Sequence, residues 1–65
     1  MLTAAQEDLV IDTLYYHYGI CDAYFISSRL FVINREDIAG VEKLLETLNF
    51  SFLYQCIEDD VNYYA

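Results

Sequence analysis

Residues 34–57, NREDIAGVEKLLETLNFSFLYQCI, carry the strongest secondary-structure signals in the chain. Asn34 is a favourable helix N-cap, and the acidic residues after it suit the positive end of a helix dipole. Apolar residues then recur every three or four positions, which is typical of a helix with one buried side. From Phe50 the period changes to two, which is typical of a strand. The segment therefore predicts a helix over about 35–48 and a strand over 50–57.

A second helix is predicted upstream. Thr3 and Gln6 have the spacing of a capping box, in which each side chain bonds the other residue's backbone N–H. Gly19 favours the left-handed conformation that ends many helices, so we expect a helix over 4–18. Its apolar arc on a helical wheel comprises Val10, Ile11, Leu14, Tyr15 and Tyr18.

Two β-branched and aromatic runs, 24–26 and 30–33, follow this helix. A short polar break separates them, which favours a β-hairpin over one long strand. Ser27 and Ser28 are poor residues for a tight hairpin turn, where Asn and Gly are preferred. The last residues, 61–65, are expected to form a short tail.

The predicted element order is α-β-β-α-β in one small domain over 1–65. It indicates an α+β fold, a small two-layer sandwich with two helices on one face of a three-stranded sheet. The second strand, the second helix and the last strand are expected to form a right-handed crossover. Two helices cover one sheet face only, so the other face is expected to be open, aromatic and able to form a homodimer. The residues predicted for self-association are Phe50, Phe52 and Tyr54.

Charge is the strongest functional signal. The chain has 11 Asp plus Glu against 3 Lys plus Arg, for a formal net charge of −8. So negative a field argues against direct binding to nucleic acid or to an anionic membrane, and it favours a basic protein partner. A hydrophobic fraction of 57% excludes a disordered acidic tail.

Carboxylates four residues apart on the two predicted helices are expected to form the partner-binding surface. Like charges at this spacing destabilise a helix by a few tenths of a kcal/mol each, and almost no basic residues balance them. Tyrosine is enriched at protein interfaces, so Tyr16, which lies on the acidic side of the first predicted helix, is included in this surface. The predicted partner-binding residues are Asp8, Asp12, Tyr16, Glu42, Glu46, Glu58, Asp59 and Asp60.

Catalytic and metal-binding patterns are weak. His17 and Cys21 are four residues apart, but Gly19 is expected to end the helix between them, and zinc sites usually need four ligands in paired spacings. The acidic helix pairs would need a pocket that shifts their pKa values for acid–base catalysis, and we do not expect one in a two-layer domain this small. We therefore expect a protein without enzymatic activity, cofactor or metal, in which Cys21 and Cys56 are reduced thiols.

The N-terminal residues, MLTAAQED, lack the basic and long apolar segments of a signal peptide. No run approaches the roughly 18 apolar residues that a membrane span needs. The expected location is the cytoplasm, which would be the host cytoplasm for a viral protein.

In size, acidity and tyrosine content, with 7 Tyr in 65 residues, the chain resembles small acidic phage proteins that block host nucleic-acid enzymes. These include anti-CRISPR and anti-restriction DNA mimics. The resemblance concerns overall properties and covers no alignable segment. It implies an inhibitor or adaptor that docks on the basic surface of a nucleic-acid-binding protein. The alternatives are an assembly module that dimerises through the aromatic sheet face, and a small enzyme or metal protein.

Overall fold

A computed structural model describes residues 1–58 and, for the backbone alone, residues 61–64. In this described part, two α-helices and a 3₁₀ helix accompany a four-stranded mixed sheet. The predicted α+β class and the order α-β-β-α-β are confirmed, and a further strand lies where the sequence predicted a tail. The elements are α1 (Ala4–Tyr18), β1 (Tyr24–Ile26), β2 (Arg29–Val32), the 3₁₀ helix (Arg35–Asp37), α2 (Ile38–Thr47), β3 (Leu53–Cys56) and β4 (Val61–Tyr64).

Both predicted ends of α1 are confirmed. The Thr3 hydroxyl accepts from the Gln6 N–H at 3.1 Å, and Gln6 Oε1 accepts from the Thr3 N–H at 2.9 Å. At the other end Gly19 has a φ of 68°. The Ile20 N–H then donates to the Leu14 carbonyl at 2.9 Å, as in a Schellman motif. Short-range side-chain chemistry therefore fixes the length of this helix.

The start of the second helical segment differs from the prediction. Residues Arg35–Asp37 form a 3₁₀ turn, and the Asn34 side chain makes no capping hydrogen bond. Instead, Glu58 Oε1 accepts from the Arg35 N–H at 3.1 Å. A carboxylate that follows β3 thus satisfies the first free backbone donor of this segment, and the Asn34 side chain does not cap it.

The hairpin between β1 and β2 has a two-residue turn. Ser27 and Ser28 have φ values of 52° and 64°, which are the positive angles of a type I′ turn. Serine pays a steric cost in this conformation, since its Cβ approaches the following carbonyl. The Ser28 hydroxyl also accepts from the Leu2 N–H at 3.0 Å, so the turn is tied to the start of the chain.

The strand order is β1-β2-β3-β4. Strands β1 and β2 are antiparallel, β2 and β3 are parallel, and β3 and β4 are antiparallel. The parallel pair is joined through α2, as the predicted crossover requires. Leu30 is paired with Tyr54 and Val32 with Cys56, so these four side chains point to the same face.

That face holds the core, and both helices pack against it. Fully buried residues of α1 and α2, such as Val10 and Val41, belong to the same apolar cluster as Leu30 and Val32. Leu45 of α2, which the apolar period of this segment also includes, is only partly buried. The buried set comprises Val10, Leu14, Ile20, Leu30, Val32, Ile38, Val41, Leu44, Phe52, Tyr54 and Cys56.

Phe52 and Tyr54 therefore do not lie on the open face, and that part of the self-association prediction is wrong. They are 6% and 4% exposed, and their rings pack edge to face with centroids 6.5 Å apart. Phe50 is partly buried against the same core. The helices cover the more aromatic side of β3, which buries the larger apolar area.

Candidate partner-binding surfaces

The outward side of α1 carries the first row of predicted site residues. Asp8, Asp12 and Tyr16 are four residues apart, and a helix turns about 100° per residue, so all three lie on one side. Val10 and Leu14 are buried on the opposite side. All three predicted residues are exposed, and Tyr16 keeps 77% of its surface accessible.

Apolar side chains accompany these carboxylates. Leu9 is 49% exposed and Tyr15 is 53% exposed, so the prediction that Tyr15 belongs to the buried arc is wrong. The Tyr15 and Tyr16 ring centroids lie 4.8 Å apart in an edge-to-face arrangement, which is favourable for both rings. We call Asp8, Leu9, Asp12, Tyr15 and Tyr16 the α1 patch.

Glu42 and Glu46 form a second acidic row, on α2. Both side chains are exposed and one turn apart. The Tyr54 hydroxyl donates to Glu42 Oε2 at 3.3 Å. Because Tyr54 belongs to the core, this bond orients the Glu42 carboxylate relative to β3.

The two acidic rows lie on different sides of the helical layer. A Cβ atom at Gly40 would lie 2.9 Å from Ile20 Cδ1 and 3.5 Å from Tyr18 Cβ, so this side of α2 faces the end of α1. Glu42 is two residues further on, which is about 200° around the helix. The structure therefore does not bring Glu42 together with the α1 patch.

Glu58 follows β3 and belongs to neither of the two acidic rows. Its contact with the Arg35 N–H gives it a role in the fold, since it satisfies a backbone donor at the start of a helical segment. Asp59 and Asp60, which were predicted with it, lie outside the described residues.

A groove of about 690 Å³ lies between α2 and the segment that precedes β3. Both carboxylates of the α2 row line it, and most of its other walls are apolar. Sequence periodicity gave no sign of this groove, because its shape depends on the path of residues 48–51. Its lining residues are Glu42, Leu45, Glu46, Leu48, Asn49, Phe50, Ser51 and Tyr54.

The uncovered sheet face carries several exposed apolar residues together with Arg29 and Gln55, and it is formed by the residues that alternate with the predicted ones. Tyr24 pairs with Phe31 across β1 and β2, and their rings stack with centroids 5.5 Å apart. Strand alternation was the signal that could have found this set, although it does not say which face the helices cover. The exposed large apolar residues of this face are Tyr24, Ile26, Ile33, Leu53 and Ile57.

The histidine and the two cysteines do not form a common site. Cys56 is fully buried, whereas His17 and Cys21 are exposed. Both thiols are free, and Cys21 Sγ contacts Asp22 Oδ1 at 3.7 Å. Among residues 1–58, no three His, Cys, Asp or Glu side chains are grouped so that they could hold a metal ion.

Within the described part of the chain, no helix is both long and apolar enough to cross a membrane. No protein-family model matches the chain, and neither a curated protein nor a solved structure matches it significantly. The function is therefore inferred from the surfaces described above.

Proposed function

We propose that this protein binds the basic surface of another protein and acts there as an inhibitor or adaptor. The α1 patch carries the proposal, because two exposed carboxylates one turn apart lie among exposed apolar side chains. The net charge of −8 adds long-range attraction to any cationic partner. The partner we propose is a nucleic-acid-binding protein, whose Lys and Arg side chains bind the phosphates of the nucleic-acid backbone. A viral inhibitor of a CRISPR or restriction enzyme would act in this way.

Charge spacing decides how far the α1 patch can imitate DNA. Duplex DNA carries one charge per roughly 1.7 Å of its axis. Asp8 and Asp12 are about 6 Å apart along the helix axis, so the patch has a much lower charge density. Leu9 and Tyr16 supply apolar contact that a phosphate backbone does not offer. Charge therefore guides the encounter, and the aromatic and apolar contacts stabilise the complex.

The second candidate function is assembly through the uncovered sheet face. Ile26 is 56% exposed there, in a chain whose core already holds 11 buried apolar residues. An apolar patch of this kind is a candidate interface for a second copy. Such a dimer would bury mainly apolar side chains, with Arg29 as the charged residue among them, so its affinity would hold or increase with salt. The affinity of an electrostatic complex would fall instead.

The test is capture of proteins from a lysate of the native host at low salt, followed by elution with duplex DNA. The variant Asp8→Lys/Asp12→Lys changes the net charge by four units. The matched control, Asp22→Lys/Glu36→Lys, makes the same change at exposed positions outside the α1 patch. Both variants should fold, since surface substitutions usually change stability by no more than about 0.5 kcal/mol.

We expect duplex DNA to elute a distinct set of proteins from the wild type and from the control. The α1 variant should not retain that set. Equal loss with both variants would show that net charge alone is responsible. Full retention by the α1 variant would place partner binding elsewhere on the molecule.

A further inference from the structure

We propose that the groove beside α2 binds an arginine side chain, with its flanking residues, from the basic partner. The inference rests on the proposed function for the nature of the partner. It concerns a different surface, however, because the α2 row points away from α1. The groove and the α1 patch can therefore be tested separately.

Two carboxylates on one wall of the groove can accept hydrogen bonds from a guanidinium. Glu42 and Glu46 are one turn apart, and the Tyr54 hydroxyl bonds Glu42 Oε2 at 3.3 Å. A carboxylate offers about four acceptor positions, so one such bond leaves capacity for a guanidinium. An oriented carboxylate loses less side-chain entropy on binding. The groove is therefore partly preorganised for a planar cation.

The remaining walls suit the rest of an arginine side chain. Leu45, Leu48 and Phe50 line the groove beside the carboxylates. The methylene stem of arginine packs on apolar surface while its charged end reaches a polar group. Its guanidinium also stacks on aromatic rings such as that of Phe50. A volume of about 690 Å³ accommodates this side chain together with neighbouring residues of an extended segment.

Arginine fits this site better than lysine does. Lysine ends in a compact, strongly hydrated ammonium that cannot form a planar pair with a carboxylate. Among the described residues that line the groove, none is cationic. Lys43 does not line the groove, although it lies three residues before Glu46 and is therefore its neighbour on the surface of α2.

The experiment is a titration of the isotope-labelled protein with the peptide acetyl-Gly-Arg-Gly-amide, followed through backbone amide NMR shifts. The same peptide with citrulline tests charge at nearly constant shape, and the peptide with lysine tests the planar group. The variant Glu42→Gln/Glu46→Gln removes both charges, and its amide oxygen at position 42 can still accept from the Tyr54 hydroxyl. The matched control is Asp8→Asn/Asp12→Asn, which removes two charges from the α1 patch.

We expect the arginine peptide to shift amides of residues 42–51, with weaker binding by the lysine peptide and none by the citrulline peptide. The Glu42→Gln/Glu46→Gln variant should bind about fivefold more weakly, which corresponds to about 1 kcal/mol for a partly exposed ion pair. The α1 control should bind as the wild type does. Absent shifts, shifts spread over the whole surface, or equal losses in both variants would overturn the groove assignment. Because this peptide titration does not involve the α1 patch, failure of the α1 capture experiment would leave its result unchanged.

Discussion

Helices α1 and α2 both bury one side, but their other sides differ. Helix α2 buries Ile38, Val41 and Leu44, and all five of its exposed positions are Ala, Glu, Lys or Thr. Helix α1 buries Val10 and Leu14, and it also leaves Leu9, Tyr15 and Tyr16 exposed to solvent. Helix α2 is therefore a simple amphipathic helix, whereas α1 is not.

Packing against the sheet explains the composition of α2, but it does not explain the exposed apolar side chains of α1. A helix that only covers a sheet gains nothing from exposed leucine and tyrosine, because their area stays in water. Single exposed apolar residues are ordinary on protein surfaces, but those on α1 are neighbours and flank two carboxylates. The outer side of α1 thus combines aromatic side chains, which are enriched at interfaces, with carboxylates, which are typical of interface rims.

The largest difference in stability should appear when one leucine is truncated on each side of α1. Leu14→Ala removes a fully buried side chain and should lower the free energy of unfolding by about 2–5 kcal/mol. Leu9→Ala removes the same atoms from the exposed side and should change it by no more than about 0.5 kcal/mol. Urea unfolding of both variants measures the difference. Equal losses would mean that the two sides of α1 are assigned incorrectly.

The next effect concerns partner binding. Tyr16→Ala should weaken binding of the captured partner about tenfold, as is typical when an interface aromatic residue is truncated. Tyr24→Ala is the matched control, because Tyr24 is an exposed tyrosine on the uncovered sheet face. Surface plasmon resonance with the captured partner gives both affinities. A loss with Tyr24→Ala alone would favour the sheet face as the interface.

The smallest expected difference in stability is between substitutions at the N-caps of the two helical segments. Thr3→Ala removes the hydroxyl that accepts from the Gln6 N–H, which is one half of the capping box, and should cost about 1 kcal/mol of stability. Asn34→Ala should cost much less, because the Asn34 side chain makes no capping bond. Thermal unfolding of the two variants is the measurement. A greater loss for Asn34→Ala would show that its cap forms in solution.

These contrasts also show which features were predictable from the sequence. Both ends of α1 were predicted correctly, because Thr3, Gln6 and Gly19 act on backbone groups within a few residues. The crossover through α2 followed from element order and chain handedness. Such signals are local, and they do not depend on how the elements pack.

Features that depend on packing were predicted poorly. Strand alternation separates Phe52 and Tyr54 from Leu53, but it cannot tell which set the helices cover. The cap from Glu58 joins residues 23 positions apart, so no local pattern indicates it. The path of 48–51, which shapes the groove beside Glu42, is set by packing in the same way.

The most direct test of the account is the salt dependence of binding between the captured partner and the wild type, compared with Asp8→Lys/Asp12→Lys. Raising the salt from about 0.1 M to about 1 M shortens the screening length from about 10 Å to about 3 Å. The account predicts that wild-type affinity falls steeply over this range, while the variant binds weakly throughout with a smaller slope. A wild-type affinity that stays constant or increases with salt would contradict it, and would favour an apolar interface on the uncovered sheet face.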